Sequence, residues 1–335
     1  MLIRPVLVHE PADARKRSRA SDIVEHWGRT SLARFALFPD KAYFFSPGGT
    51  LFAFVVKGRA ALVLGDPIGP PDDLAAALDS FQQHCARNDW LPAFYQTLPD
   101  YLDLYRSKGF DTLMIGQEAI IDLADFSLEG KAGKEFRTTV NKMERLGIRA
   151  ELFQPPLSED LLQNLRDVSN EWLMSMHGSE MRFSVGWFDD DYIRSTPVMV
   201  ITNPQGQVMA FANLVGEYRR SELTLDLMRR REQIENGTMD FLFIAMLRWA
   251  KAQGFASFSL GLSALAGLDQ AGDSNKTQQA LNYIYENVSR FYNFKGLHAF
   301  KEKFHPAWQP RYLVHPGLPS LPAVGAALVR ANSGR

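Results

Sequence analysis

The stretch from residue 223 to residue 262 places the strongest constraint on the fold of this chain. It begins as an alternating strand, LTLDLM, continues through Arg229, Arg230 and Arg231, and reaches Asn-Gly-Thr before an apolar helix and the strand FASFSLGL. Asn, Gly and Thr are favoured where a helix begins, because its first backbone N–H groups need partners. The order of strand, loop, helix and strand predicts a sheet crossed by a helix, with Asp226 and several arginines at a strand end.

Composition sets the outer bounds. The 335 residues are 46% hydrophobic and 22% charged, which is typical of a globular chain with room for two domains. The formal net charge of −1 means that any binding of nucleic acid or anionic membrane must come from a local patch. The single cysteine, Cys85, excludes an intramolecular disulfide and a zinc site built from cysteines.

No membrane span or secretory signal is recognisable in the sequence. The most apolar helical stretch, FLFIAMLRWA, contains Arg248, and the apolar run at the N-terminus is too short for a signal peptide. We therefore expect a protein that is not integral to a membrane and has a cytoplasmic location.

The order of predicted elements occurs twice along the chain. Before about residue 125, strands with hairpin turns are followed by the helix DDLAAALDSFQQHCARND, the strand LPAFYQTL, a short helix and the strand DTLMIGQEAIIDL. After about residue 150, a helix, three strands, a helix over about 238–252 and the strand ASFSLGL follow. Element order alone therefore predicts two copies of one α+β topology.

A basic segment, residues 130–150, separates the two copies. Six of its residues are Lys or Arg and only two are Glu, and several basic residues fall at helical three-to-four spacing. The segment is either a solvated linker helix or a surface for phosphates. The candidate phosphate-binding residues are Lys131, Lys134, Arg137, Lys142 and Arg145. The predicted division is an N-terminal domain over 1–129, the connecting helix over 130–150 and a C-terminal domain over 151–335.

The central unit, from strand to helix to strand, resembles that of the GNAT acetyltransferase superfamily. In that superfamily the helix N-terminus usually receives the pyrophosphate of an acyl-coenzyme A, which suits its free N–H groups and dipole. The superfamily's loop has closely spaced glycines, whereas RRREQIENGTMD supplies only Gly237. This departure argues against coenzyme A binding in the usual manner.

A narrower resemblance rests on several motifs in order between about residues 22 and 315. The motifs are FPDKAYFFS, LGDPIGP, MRFSVGWFDDDYI, DLMRR, NGTMD, FSLGLSALAG and FYNFKGLHAFKEKFHPAWQPRYLV. Together they resemble the catalytic domain of the aminoacyl-phosphatidylglycerol synthases, the multiple peptide resistance factors. The resemblance implies tandem GNAT-like folds joined by a basic helix, with neither coenzyme A nor metal as a cofactor.

The resemblance also implies an activity. Family members transfer a lysyl or alanyl group from aminoacyl-tRNA to the glycerol head group of phosphatidylglycerol, which reduces negative membrane charge and gives resistance to cationic antimicrobial peptides. The implied partners are aminoacyl-tRNA, phosphatidylglycerol and a membrane-spanning flippase region that commonly precedes this domain. The implied location is the cytoplasmic face of the cell membrane, peripheral unless such a region is attached.

The resemblance implies roles for particular residues as well. The implied catalytic residues are Asp226 as proton acceptor, Arg229 for phosphate, Glu286 for the amino group, and Lys301 for phosphate or the developing oxyanion. The implied substrate-binding residues are Arg230, Asn236, Gly237, His298 and Lys303. Structural roles remain open beside these: Asp226 could pair with a neighbouring arginine, and His298 could be a packing residue.

Three other functions fit parts of the same pattern. A peptidoglycan-bridge aminoacyltransferase would also use aminoacyl-tRNA but would form an amide. A coenzyme A-dependent GNAT N-acyltransferase would need the glycine loop that this chain lacks. A non-catalytic binding module would not depend on Asp226.

Overall fold

The computed structural model describes residues 13–131, 133–176, 180–216, 218, 221–264 and 294–333. Eleven strands form a single mixed sheet. The strands are β1 Ala42–Phe45, β2 Leu51–Lys57, β3 Ala60–Leu64, β4 Leu91–Thr97, β5 Asp111–Asp122, β6 Arg149–Phe153, β7 Val198–Thr202, β8 Val208–Gly216, β9 Glu222–Arg230, β10 Ser257–Ala264 and β11 Ala307–His315. The helices are α1 Ala14–Trp27, α2 Leu32–Phe35, α3 Leu74–Arg87, α4 Leu102–Ser107, α5 Lys134–Arg145, α6 Glu159–Ser175, α7 Asp190–Arg194, α8 Thr238–Ala252, α9 Phe294–Glu302 and α10 Leu321–Asn332.

The same order of elements is found in the two halves of the sheet. Two helices precede three antiparallel strands, β1–β3 in the N-terminal half and β7–β9 in the C-terminal half. Each set is followed by a helix and by a strand that pairs in parallel with the third strand, β4 with β3 and β10 with β9. A further helix and a last strand, β5 or β11, complete each half. The predicted α+β fold with its repeated topology is confirmed.

The two halves exchange their last strands. β5 pairs antiparallel with β10 of the C-terminal half, and β11 pairs antiparallel with β4 of the N-terminal half. β5 and β11 also pair with each other, so the sheet is continuous from β1 to β6. The division of the chain near residues 129 and 150 remains a prediction, and α5 lies within the predicted connecting segment.

Apolar helices cover the sheet and form its core. α8 is buried on almost every side, because Leu242, Ile244, Met246 and Leu247 are fully covered by strands β7 and β8 and by α5. α10 packs on β2 and β3 of the other half. Burial raises the pKa of the Cys85 thiol to about 12, so this cysteine is an unreactive core residue. Within the described ranges, none of the helices has the length and apolarity to cross a bilayer.

The parallel strands β9 and β10 separate shortly after they begin to pair. They are in register only over residues 222–224 and 257–259. Beyond this point β9 follows β8 and β10 follows β5, with a register shift between Ser259 and Leu262 that marks a β-bulge. Gly261 lies in this bulge with φ +79°, a backbone conformation that glycine adopts readily. The result is a wedge-shaped opening in the sheet.

Candidate active site

A cavity of about 230 Å³ occupies the wedge between β9 and β10. Its walls come from both halves of the chain, since Tyr95 and Glu118 of the N-terminal half face the cavity together with Asp226 and Lys301 of the C-terminal half. Asp226 lies on β9 two residues beyond the last residue that pairs with β10. The structure thus brings together two of the predicted catalytic residues, one acidic and one basic.

The Asp226 carboxylate is held at both oxygens. Its Oδ1 accepts a hydrogen bond from the Gly186 N–H at 2.9 Å, and its Oδ2 accepts one from the Tyr192 hydroxyl at 2.7 Å. Burial raises the pKa of Asp226, while these hydrogen bonds and the Arg229 charge act in the opposite direction. A carboxyl group with a raised pKa, fixed in a cavity, suits proton transfer.

Arg229 is buried beside this carboxylate but is paired elsewhere. Its Nη2 donates to Glu180 Oε2 at 2.7 Å, and its guanidinium carbon lies 4.0 Å from the centre of the Trp172 ring. Its Nε is buried without a hydrogen-bond partner among the described residues. Arg229 therefore acts on Asp226 through its charge. The alternative structural role, in which Asp226 pairs with a neighbouring arginine, is not observed, because the carboxylate is bonded to Gly186 and Tyr192.

Lys301 reaches the cavity from α9. Its Nζ donates to the carbonyl oxygens of Gly261 and Leu262, both at 2.9 Å, and so binds the β-bulge of β10. Burial lowers the pKa of Lys301 to about 7, against the opposing charge of Glu118. Glu118 in turn accepts hydrogen bonds from Ser259 and Arg311. The lysine is thus a fixed, titratable group at neutral pH.

The predicted substrate-binding residues are not among the residues that line the cavity. Arg230 is exposed and donates to the backbone oxygens of Arg231 and Glu232. Asn236 and Gly237 precede α8, where the Asn236 carbonyl accepts from Lys142 at 2.8 Å. Their predicted role in binding remains a prediction.

Two further predicted substrate-binding residues, one on α9 and one directly after it, also contact neighbouring side chains. His298 Nδ1 lies 3.1 Å from Ser263 Oγ, and its ring stacks on Trp308. Lys303 Nζ pairs with Asp240 Oδ1 at 2.9 Å. Glu286, predicted to hold the amino group, lies outside the described residues.

The basic residues of the connecting helix divide into two groups. Arg137 donates to the carbonyl oxygens of Leu128 and Gly130, and Lys142 pairs with Glu235 at 2.6 Å, so these two stabilise local structure. The remaining three are exposed and have no ion pair among the described residues: Lys131, Lys134 and Arg145.

Several residues of the site were not predicted from the sequence. Tyr192, Gly186 and Glu180 come from the segment between α6 and β7, and Glu118 comes from the exchanged strand β5. The motif MRFSVGWFDDDYI contains Gly186 and Tyr192 and is the one sequence signal that points to them. Among the described residues, no three His, Cys, Asp or Glu side chains are placed to hold a metal ion.

The fold and the cavity define an α+β protein in which two halves of one topology share a sheet, and the splayed parallel strands bring a carboxylate and a lysine to one cavity. Residues 21–315 match the family model described as phosphatidylglycerol lysyltransferase, C-terminal. The chain belongs to this family.

Named relatives agree with this assignment. The chain is 34% identical over 299 residues to a phosphatidylglycerol lysyltransferase of Staphylococcus haemolyticus and 35% identical over 298 residues to that of Bacillus subtilis. Each match covers 89% of this chain and 35% of the relative, so the chain spans about a third of the length of these curated relatives.

Solved structures show the same fold over nearly the whole chain. The structure of L-PGS from Bacillus licheniformis has a TM-score of 0.87 at 33% identity, covering 97% of this chain and 98% of that one. The C-terminal domain of a putative lysylphosphatidylglycerol synthetase from Agrobacterium fabrum has a TM-score of 0.86 at 33% identity, covering 96% and 98%. FemX, with a TM-score of 0.60 at 8% identity over 94% of this chain and 99% of that one, shares the fold.

Proposed function

We propose that this chain transfers a lysyl group from aminoacyl-tRNA to a hydroxyl of the phosphatidylglycerol head group. The observation that carries the proposal is the pair of Asp226 and Lys301 lining one cavity, in a chain whose relatives are named phosphatidylglycerol lysyltransferases. The donor is an ester and so is the product, so the step needs positioning and one proton transfer rather than a further energy source.

The proposed reaction begins at the acceptor hydroxyl. The glycerol oxygen attacks the aminoacyl carbonyl as its proton passes to the Asp226 carboxylate, which Gly186 and Tyr192 hold in place. The C–O bond to the terminal ribose of the tRNA then breaks, and that ribose oxygen takes up the proton from Asp226. The new ester joins the lysyl group to the lipid head group, and all atoms and charges balance.

Lys301 has a complementary part in this proposal. An ammonium group has three N–H donors, and two of those at Lys301 are used by the carbonyls of Gly261 and Leu262. The third can donate to the carbonyl oxygen of the donor ester as negative charge develops there. Arg229, which is paired with Glu180, lowers the pKa of Asp226 through its charge, against the effect of burial, and does not itself bind phosphate in this account.

The proposal also states where the two substrates contact the chain. The exposed basic residues of the connecting segment contact the tRNA phosphates, and the chain works at the cytoplasmic face of the membrane, where its lipid substrate is found. The residues proposed for the tRNA contact are Lys131, Lys134 and Arg145.

The test is direct transfer of label to lipid. The purified chain is incubated with phosphatidylglycerol vesicles and with tRNA charged separately with radiolabelled lysine, alanine or a control amino acid. We expect alkali-labile label in the extracted lipid with lysyl-tRNA, and a decrease in rate of about a hundredfold or more in Asp226→Asn. Asp167→Asn makes the same chemical change on the exposed surface of α6 and should keep full activity.

Other outcomes would contradict the proposal. Alkali-stable label would indicate an amide product and an amine acceptor, while preference for alanyl-tRNA would refute the lysyl assignment only. Absence of lipid label with every charged tRNA, from a folded chain that binds the vesicles, would refute transfer to this lipid.

A further inference from the structure

Gln96 has a strained backbone within β4. Its φ of +66° lies in the left-handed region, which a residue with a long side chain seldom adopts inside a strand. β11 pairs Tyr312 with Thr97 and Leu313 with Tyr95, so Gln96 has no opposite residue and forms a β-bulge. Bulges of this kind change the direction of a side chain, and they are frequent beside active sites.

The bulge brings Gln96 to the cavity wall. Tyr95 and Gln96 both line the cavity that contains Asp226 and Lys301, although consecutive residues of a regular strand face opposite sides of the sheet. Gln96 and Leu32 also line a smaller adjoining cleft of about 20 Å³. Among the described residues, the side-chain amide of Gln96 has no hydrogen-bond partner. At this position the Gln96 amide is available to a ligand in the cavity.

The ligand follows from the chemistry of the cavity. The carboxylates there are already engaged, Asp226 by Gly186 and Tyr192 and Glu118 by Ser259 and Arg311. A neutral amide offers one acceptor and two donors, which suits the uncharged hydroxyl of a polyol. The ammonium groups of a lysyl donor would be bound better by a carboxylate, because charge-assisted hydrogen bonds are stronger.

We propose that the Gln96 amide binds the second hydroxyl of the glycerol head group, the one that does not attack the ester. The proposal rests on the function proposed above and extends it to the choice of acceptor. Gln96 would thereby favour a glycerol head group over one that has a single terminal hydroxyl. The N-terminal half would supply acceptor recognition, while the C-terminal half supplies the proton acceptor.

Gln96→Gly is the most informative variant, because glycine adopts a positive φ readily and the substitution removes the amide without adding strain. Asp89→Gly is the matched control, since Asp89 also has a positive φ, +57°, in a turn that carries an exposed ion pair with Arg59. Both variants relieve the same kind of strain. Only the first changes the cavity.

The assay compares two lipids in otherwise identical vesicles, phosphatidylglycerol and phosphatidyl-1,3-propanediol, which lacks the second hydroxyl. We expect the parent chain and Asp89→Gly to prefer phosphatidylglycerol about fivefold to tenfold in kcat/KM, which corresponds to one uncharged hydrogen bond. Gln96→Gly should lose this preference through a slower reaction with phosphatidylglycerol. Its rate with the analogue and its KM for lysyl-tRNA should not change.

An unchanged lipid preference in Gln96→Gly would overturn the proposal. So would an effect that appears in the KM for lysyl-tRNA with both lipids, because Gln96 would then contact the donor. If the parent chain labels neither lipid, the proposed function itself is wrong and the role of Gln96 in it fails too.

Discussion

The ionisation of Lys301 gives the sharpest prediction about the proposed reaction. Burial lowers the pKa of Lys301 to about 7, whereas an exposed lysine titrates near 10.5. A lowered lysine pKa means that the charged form is present below about pH 7 and is lost as the pH rises. If the ammonium form stabilises the oxyanion, activity must fall above neutrality.

The size of the effect follows from the titration of a single group. At pH 7 about half of the molecules carry a charged Lys301, at pH 8 about one tenth, and at pH 9 about one hundredth. We therefore expect kcat/KM to fall about tenfold for each pH unit well above 7. Lys301→Arg keeps its charge throughout this range, so it should be slower but should lack the alkaline decline. Lys301→Met should be slow at every pH.

The assay measures the initial rate of lipid labelling between pH 6 and pH 9. Intact lysyl-tRNA is quantified at each pH, because its ester hydrolyses faster in alkali, and thermal unfolding of each variant confirms that it is folded. A rate that rises through pH 7 would refute the reasoning, since the neutral amine would then be the active form and Lys301 would act as the base. A flat profile in the parent chain would show that Lys301 does not control the reaction.

Two further predictions concern positions around the cavity and on the connecting segment. Gly186→Ala would place a Cβ well inside van der Waals distance of Asp226 Oδ2. We therefore expect the free energy of unfolding in urea to fall by about 1–3 kcal/mol and the transfer reaction to slow. A variant with full activity and stability would contradict this geometry. Replacing the three exposed basic residues by alanine should reduce the salt dependence of tRNA binding. The slope of log binding constant against log salt concentration should become shallower by about 0.7 to 0.9 for each phosphate that is no longer neutralised. An unchanged slope would exclude these residues from the tRNA-binding surface. The residues replaced are Lys131, Lys134 and Arg145.

Much of the fold could be predicted because its signals are local. The helix predicted over about 238–252 is observed as Thr238–Ala252, since its apolar residues and the preceding Asn-Gly fix its position within a few residues. The end of β9 and the place of Asp226 on it follow from the alternation in LTLDLM. The repeated order of elements could be read in the same way.

The exchange of last strands could not be predicted from these signals. β5 and β11 both mix apolar and polar residues, and nothing in their composition distinguishes pairing within a half from pairing across halves. The register of β11 on β4 also determines the bulge at Gln96, so no local sequence pattern predicts the conformation of that residue. Tyr192 and Glu180 reach the site only through tertiary folding of the segment after α6.

The strand exchange contributes to the electrostatics of the candidate active site. Glu118 lies on β5 and Arg311 on β11, so the pair that faces Ser259 of β10 is formed by the two exchanged strands. The Glu118 charge raises the pKa of Lys301 against the effect of burial, and it therefore helps to keep the ammonium form available near neutral pH. If the halves did not exchange strands, β11 would lie beside β10 in place of β5, and the site would lack the Glu118 carboxylate. On the proposed mechanism, the N-terminal half is therefore part of the catalytic apparatus.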